Sequence, residues 1–160
     1  MRSPGAPLQH IEISRRDAKE FIDKYFELHP KVRAYLDGLI STTKEKEYCE
    51  TILGRRRALK DINASQYMVR SGAERMALNT PLQGTAADII KLAMLKVEKR
   101  LENMKSKMIL QIHDELVIDA TKDEEKEVKQ ILKEEMESAI KLRVPLVVDV
   151  VSGYYWSDLD

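Results

Sequence analysis

The chain has 160 residues, 43% of them hydrophobic, and its 27 basic and 27 acidic side chains cancel to a net charge of zero. That is room for one domain with a core, too apolar for disorder, and it lacks the global positive field that by itself marks a polyanion binder; such a partner needs a local basic face. One cysteine (Cys49) excludes an internal disulfide, three scattered histidines (His10, His29, His113) argue against a zinc site, and no apolar run reaches a membrane span's length, so a soluble cytoplasmic domain with no membrane partner is expected.

Residues 1–13, opening MRSPGAPLQHIE, hold two prolines and a glycine without periodicity and read as a flexible leader. Ser14 is placed to cap a helix with apolar positions Ala18, Phe21, Ile22, Tyr25 and Leu28. Pro30 breaks that pattern, and a second helix carries Val32, Tyr35, Leu36, Leu39 and Ile40. β-favouring residues around Leu53-Gly54 predict a short hairpin over Tyr48–Leu59. A helix is predicted from Ser65 to Asn79, stopped by Thr80-Pro81. Another starts at Thr85, with Asp88 completing a capping-box-like pair and Ile89, Ile90, Ala93, Val97, Leu101 and Met104 as its stripe. Lys107–Ala120 reads as two strands broken at His113-Asp114-Glu115. A charged helix follows over Asp123–Leu142, then a final strand over Leu146–Ser152 and an aromatic tail to Trp156. The fold class is α+β, its second half a β-β-α-β run with helices packed on one face of a sheet.

Two segments carry candidate chemistry. In Met108–Asp119 (MILQIHDELVID), apolar strands flank a polar turn that lifts Asp114 and Glu115 out of the core, where both can reach one hydrated cation. Magnesium takes oxygen ligands and keeps several waters, so one or two carboxylates are a normal supply. A merely polar, solvated turn is the plainer account of the same spacing. In Gly72–Asp88, Arg75 and Asn79 share a helix face, and Gln83-Gly84 occupy the junction to the next helix. Asn and Gln suit base-edge acceptors in the minor groove and Arg suits phosphate, although a helix stop followed by a capped start is the plainer account of the residues by themselves. The basic run Arg55-Arg56-Arg57 with Lys60 is either a phosphate contact or a solvated hairpin tip.

Taken together, Ala73–Lys91 (AERMALNTPLQGTAADIIK) and Gln111–Val117 (QIHDELV) resemble the family A DNA polymerases, the second string resembling their palm motif C. The likeness runs from about Ser14 to Trp156. It includes Tyr25-Phe26 with Pro30, Thr51 with Gly54-Arg55-Arg56, the Val144-Pro145-Leu146 strand entry and the Gly153-Tyr-Tyr-Trp156 ending, while the leader before Ser14 matches nothing in the family.

The resemblance implies a partial polymerase palm with adjoining fingers helices, and a DNA-directed DNA polymerase working by two-metal nucleotidyl transfer in replication or repair. It implies Asp114 as a catalytic metal ligand with Glu115 beside it, His113 near the primer terminus, and Arg75, Asn79 and Gln83 on the primer–template duplex. The cofactor implied is Mg2+, and the partners are primer–template DNA and deoxynucleoside triphosphates. The family's second metal aspartate, on a motif A strand, and its triphosphate-gripping fingers helix have no counterpart string here. They are expected from the missing N-terminal part of the polymerase. A non-catalytic DNA-binding module and a truncated gene product remain the alternatives for this polypeptide.

Overall fold

The computed structural model describes residues 14–158. Helix α1 (Arg15–Leu28) opens as predicted: the Ser14 hydroxyl accepts the Asp17 backbone N–H at 3.1 Å. It ends at His29, and Pro30 takes the first position of α2 (Pro30–Lys46), where its missing N–H costs nothing. Glu47 closes α2 in the left-handed conformation at φ 57°. The apolar stripe of α1 stays at the surface, with Phe21 70% and Leu28 78% exposed.

Strands β1 (Tyr48–Glu50) and β2 (Arg56–Ala58) form the predicted hairpin, in the register Tyr48↔Ala58, Cys49↔Arg57 and Glu50↔Arg56. Gly54 turns its loop at φ 82°, a conformation that favours glycine. Behind the hairpin a 3-10 turn, Lys60–Asn63, brings Ile62 against Cys49, Leu59, Ala73 and Ala77, the first of two cores.

The expected helix stop at Thr80-Pro81 does not occur. Helix α3 runs unbroken from Tyr67 to Leu101, 35 residues and about 52 Å long. Proline removes one N–H and crowds the carbonyl four residues back, a local cost. Burial on both sides of it offsets that cost: Ala73, Ala77 and Pro81 are buried before the Gly84 turn, and Ile90, Ala93, Val97 and Leu101 beyond it. Thr85 is therefore not a cap. Its hydroxyl donates to the Pro81 carbonyl and accepts the Ile52 N–H at 3.1 Å, while Asp88 turns to the hairpin instead of a helix start.

The second core joins Val97 and Leu101 of α3 to Val128, Ile131 and Leu132 of α4 (Glu125–Glu137), with Met108, Leu116 and Ile118 packed against them. Those three belong to the antiparallel pair β3 (Lys107–Ile112) and β4 (Glu115–Asp119), so α3 and α4 cover one face of that hairpin. A register shift between Met108 and Leu110 leaves Ile109 and Leu110 exposed. The final strand expected over Leu146–Ser152 is absent: the segment joins no ladder, and Val148 N–H is held by the Glu137 carboxylate at 3.1 Å. Its paired valines have strand character, but a strand exists only where a neighbour supplies pairing groups. No helix among the described residues is long and apolar enough to cross a membrane.

Candidate functional site

Asp114 and Glu115 sit where the sequence places them. Ile112 pairs with Glu115, so His113 and Asp114 form a two-residue turn. His113 has φ 49°, uncommon for a residue with a side chain, and the Gln111 amide holds its carbonyl at 2.6 Å. Alternation along β4 turns Leu116 and Ile118 toward the helices and leaves Glu115 exposed beside the turn. Both carboxylate residues are exposed, and both line a cleft of about 1040 Å³ between β4, α4 and the 147–156 segment. Two hard oxygen donors on an exposed turn fit a hydrated divalent cation that keeps part of its water. Among the described residues no group of three or more His, Cys, Asp or Glu side chains could hold a metal, so the chain presents two carboxylates and not a closed cage.

The continuity of α3 changes the second candidate. Arg75, Asn79 and Gln83, four residues apart in turn, lie along one exposed helix face, and Gln83 belongs to that face instead of a junction. His113 is exposed on the turn with the carboxylates.

The basic run is mostly spent inside the fold. Arg55 Nε donates to Asp88 at 2.7 Å and its Nη2 to the Gly84 carbonyl at 2.9 Å. Arg56 pairs with Glu50 at 3.2 Å and lies 4.6 Å over the Tyr48 ring, and Arg57 reaches the Met76 sulfur. The Asp88 carboxyl is held below its usual range, chiefly by the Thr51 hydroxyl and then by Arg55, against the opposing effect of burial.

Sequence reasoning missed two supports. The Gln111 clasp had a signal, a lone polar residue two before the turn in an apolar strand. The other had none: Glu124 accepts from the Ser106 hydroxyl at 2.5 Å and from the Lys105 and Ser106 N–H groups at 3.0 and 2.8 Å, binding the start of β3 to the start of α4.

A helix-backed hairpin carrying paired carboxylates at its turn, beside a long helix with a polar face, is the arrangement of a polymerase palm with adjoining helices. The sequence model of DNA polymerase family A matches residues 7–158, beginning inside the segment read above as a leader, and the chain belongs to that family. It is 51% identical over 148 residues to DNA polymerase I of Caldicellulosiruptor bescii, covering 91% of this chain and 17% of that protein. It is 47% identical over 152 residues to DNA polymerase I of Bacillus caldotenax, covering 94% and 17%. Its fold is similar to the POL domain of Pol1 from M. smegmatis, solved in complex with DNA primer-template and dNTP, with a TM-score of 0.82 and 41% identity over 86% of this chain and 25% of that one. The chain thus spans 17% of the length of these two curated relatives.

Proposed function

We propose that this chain is the C-terminal part of a DNA-directed DNA polymerase and supplies one half of a two-metal site for nucleotidyl transfer. The observation that carries the reading is the placement of Asp114 and Glu115: adjacent, exposed, and raised on a clasped turn at the end of a helix-backed hairpin. Asp114 would be the catalytic metal ligand, and Glu115 would help it hold the ion. Bound there, Mg2+ would lower the pKa of the primer 3′-hydroxyl and offset charge on the reacting phosphate.

The chain's own residues hold the substrate. His113 faces the primer terminus from the turn. Arg75 takes backbone phosphate, and Asn79 and Gln83 donate to minor-groove acceptors of the primer–template duplex. The partners are that duplex, deoxynucleoside triphosphates, and the missing N-terminal part of the polymerase with its motif A strand and fingers helix.

Primer extension tests this reading, with the chain combined with a polypeptide bearing the missing parts. Asp114→Ala should lower incorporation by roughly a thousandfold or more. Glu115→Ala should cost less, about ten- to a hundredfold. An Asp114→Ala complex as active as wild type overturns the assignment.

A further inference from the structure

Between the hairpin and α3 lies a bonded cluster that the proposed chemistry does not use. Both oxygens of Asp88 are engaged, one by the Thr51 hydroxyl at 2.6 Å and the other by Arg55 Nε at 2.7 Å. The same guanidinium reaches one turn back along α3 to the Gly84 carbonyl at 2.9 Å. Thr51 Oγ1 also accepts the Arg55 backbone N–H at 3.2 Å, and the Ile52 N–H donates to Thr85 at 3.1 Å. The two elements meet so closely that a Cβ at position 84 would stand 2.7 Å from the Thr51 methyl, which explains a glycine in mid-helix.

The location gives the cluster its meaning. Gln83 precedes Gly84, Asn79 lies one turn back, and Pro81 stands between them. Pro81 cannot donate to the carbonyl four residues back, so α3 is missing a rung in the stretch that presents Asn79 and Gln83, and it would kink there unless held from outside. The cluster supplies that hold from the hairpin side, on both the Gly84 and Asp88 turns.

We propose that Thr51, Arg55 and Asp88 are positioning residues that clamp the β1–β2 hairpin onto α3 at Gly84 and hold the Arg75–Asn79–Gln83 face in place across Pro81, setting affinity for primer–template duplex without touching it. The proposal rests on the reading of that face as a duplex contact. It gives Arg55 a role opposite to the obvious one. A half-exposed arginine in a basic run suggests a phosphate contact, yet two of its three guanidinium nitrogens are bonded within the fold.

The signs of the effects separate the two roles. Binding of a fluorescein-labelled primer–template duplex to the 160-residue chain is followed by anisotropy across a salt series, with melting temperatures measured in parallel. Asp88→Asn removes a negative charge; simple electrostatics then tightens DNA binding, whereas loss of the clamp weakens it by roughly three- to thirtyfold. Arg55→Gln should weaken binding to a similar degree with the slope of log K against log salt unchanged, where a lost phosphate contact would reduce the slope by about one unit. Thr51→Val should follow Asp88→Asn, and Thr51→Ser, which keeps the hydroxyl, should restore wild-type affinity.

Val97→Ala in the other core controls for general loosening: it should lower the melting temperature with duplex affinity unchanged. Asp88→Asn binding as tightly as wild type or tighter, an Arg55→Gln defect confined to the salt slope, or a loss matched by Val97→Ala at equal destabilisation overturns the clamp. Failure of the clamp alone is recognised by a wild-type chain that binds and a Gln83→Ala chain that binds less. If the wild type shows no duplex binding, or Gln83→Ala is without effect, the reading of the α3 face falls and the positioning role falls with it.

Discussion

Asn79 and Gln83 illustrate how one residue's meaning depends on its neighbours. Both carry amides that donate and accept, both are exposed on α3, and neither belongs to a core. An exposed polar side chain outside a packed network contributes little to stability, so Asn79→Ala and Gln83→Ala should each shift unfolding free energy by no more than about 0.5 kcal/mol. Each should weaken primer–template binding, by about 1 kcal/mol if a neutral groove hydrogen bond is lost. Anisotropy and thermal melts on the same samples check both halves. A large fall in melting temperature with unaltered DNA binding would mean that these amides serve the helix and not the duplex. The same contrast distinguishes Arg55 from Arg75: the sequence offers two arginines near a polar helix, and only the fold shows that Arg55 is committed to Asp88 and Gly84.

At the scale of elements, the β3–β4 hairpin stands firm because its open ends are gathered on one carboxylate. Glu124 accepts three bonds from Lys105 and Ser106, and the fully buried Ser106 hydroxyl accepts the Thr121 N–H at 3.2 Å, tying the start of β3 to the exit of β4. The Ser106 hydroxyl first, then the Lys105 N–H, lower the Glu124 pKa to about 2 from an ordinary 4.5. A carboxylate whose folded-state pKa is depressed contributes stability that is fully present above its unfolded value and is lost as pH falls through the folded one. The melting temperature should therefore drop between about pH 4.5 and pH 2, and Glu124→Gln should start lower at neutral pH and show a flatter acid limb. Retention of the full wild-type acid limb in Glu124→Gln would assign that limb to other groups. At the far end of α4, Lys96 of α3 reaches the Ser138 carbonyl at 2.7 Å, a cation placed favourably at a helix C-terminus.

For the whole molecule the decisive feature is division of labour along α3. Its first half carries the hairpin core and the polar face, and its second half carries the β3–β4 hairpin and α4. With a net charge of zero and two carboxylates at the turn, the chain alone should make few phosphate contacts and hold magnesium weakly, since that ion gives up its waters reluctantly. Duplex binding by the isolated chain should be weak and fall steeply with salt, in proportion to the few phosphates neutralised. Nucleotide incorporation by the chain alone should be undetectable in a primer-extension assay and appear when a polypeptide bearing the motif A strand and fingers helix is added. Robust extension by the 160-residue chain by itself would show that the active site is misplaced.

Local signals in the sequence were sufficient for the Ser14 cap, the Pro30 break, both hairpins and the turn that exposes Asp114 and Glu115, because each depends on residues a few positions apart. Pro81 and the Leu146–Ser152 valines misled for one shared reason: a proline breaks a helix only when nothing else holds it, and a valine-rich segment becomes a strand only beside a free edge. Those conditions are set by residues distant in sequence. The continuous α3, the common face of Arg75, Asn79 and Gln83, the capture of Arg55 by Asp88 and the Glu124 clasp were therefore decided by tertiary packing, where burial on both sides of Pro81 and bonds spanning some twenty to forty residues outweigh local propensity.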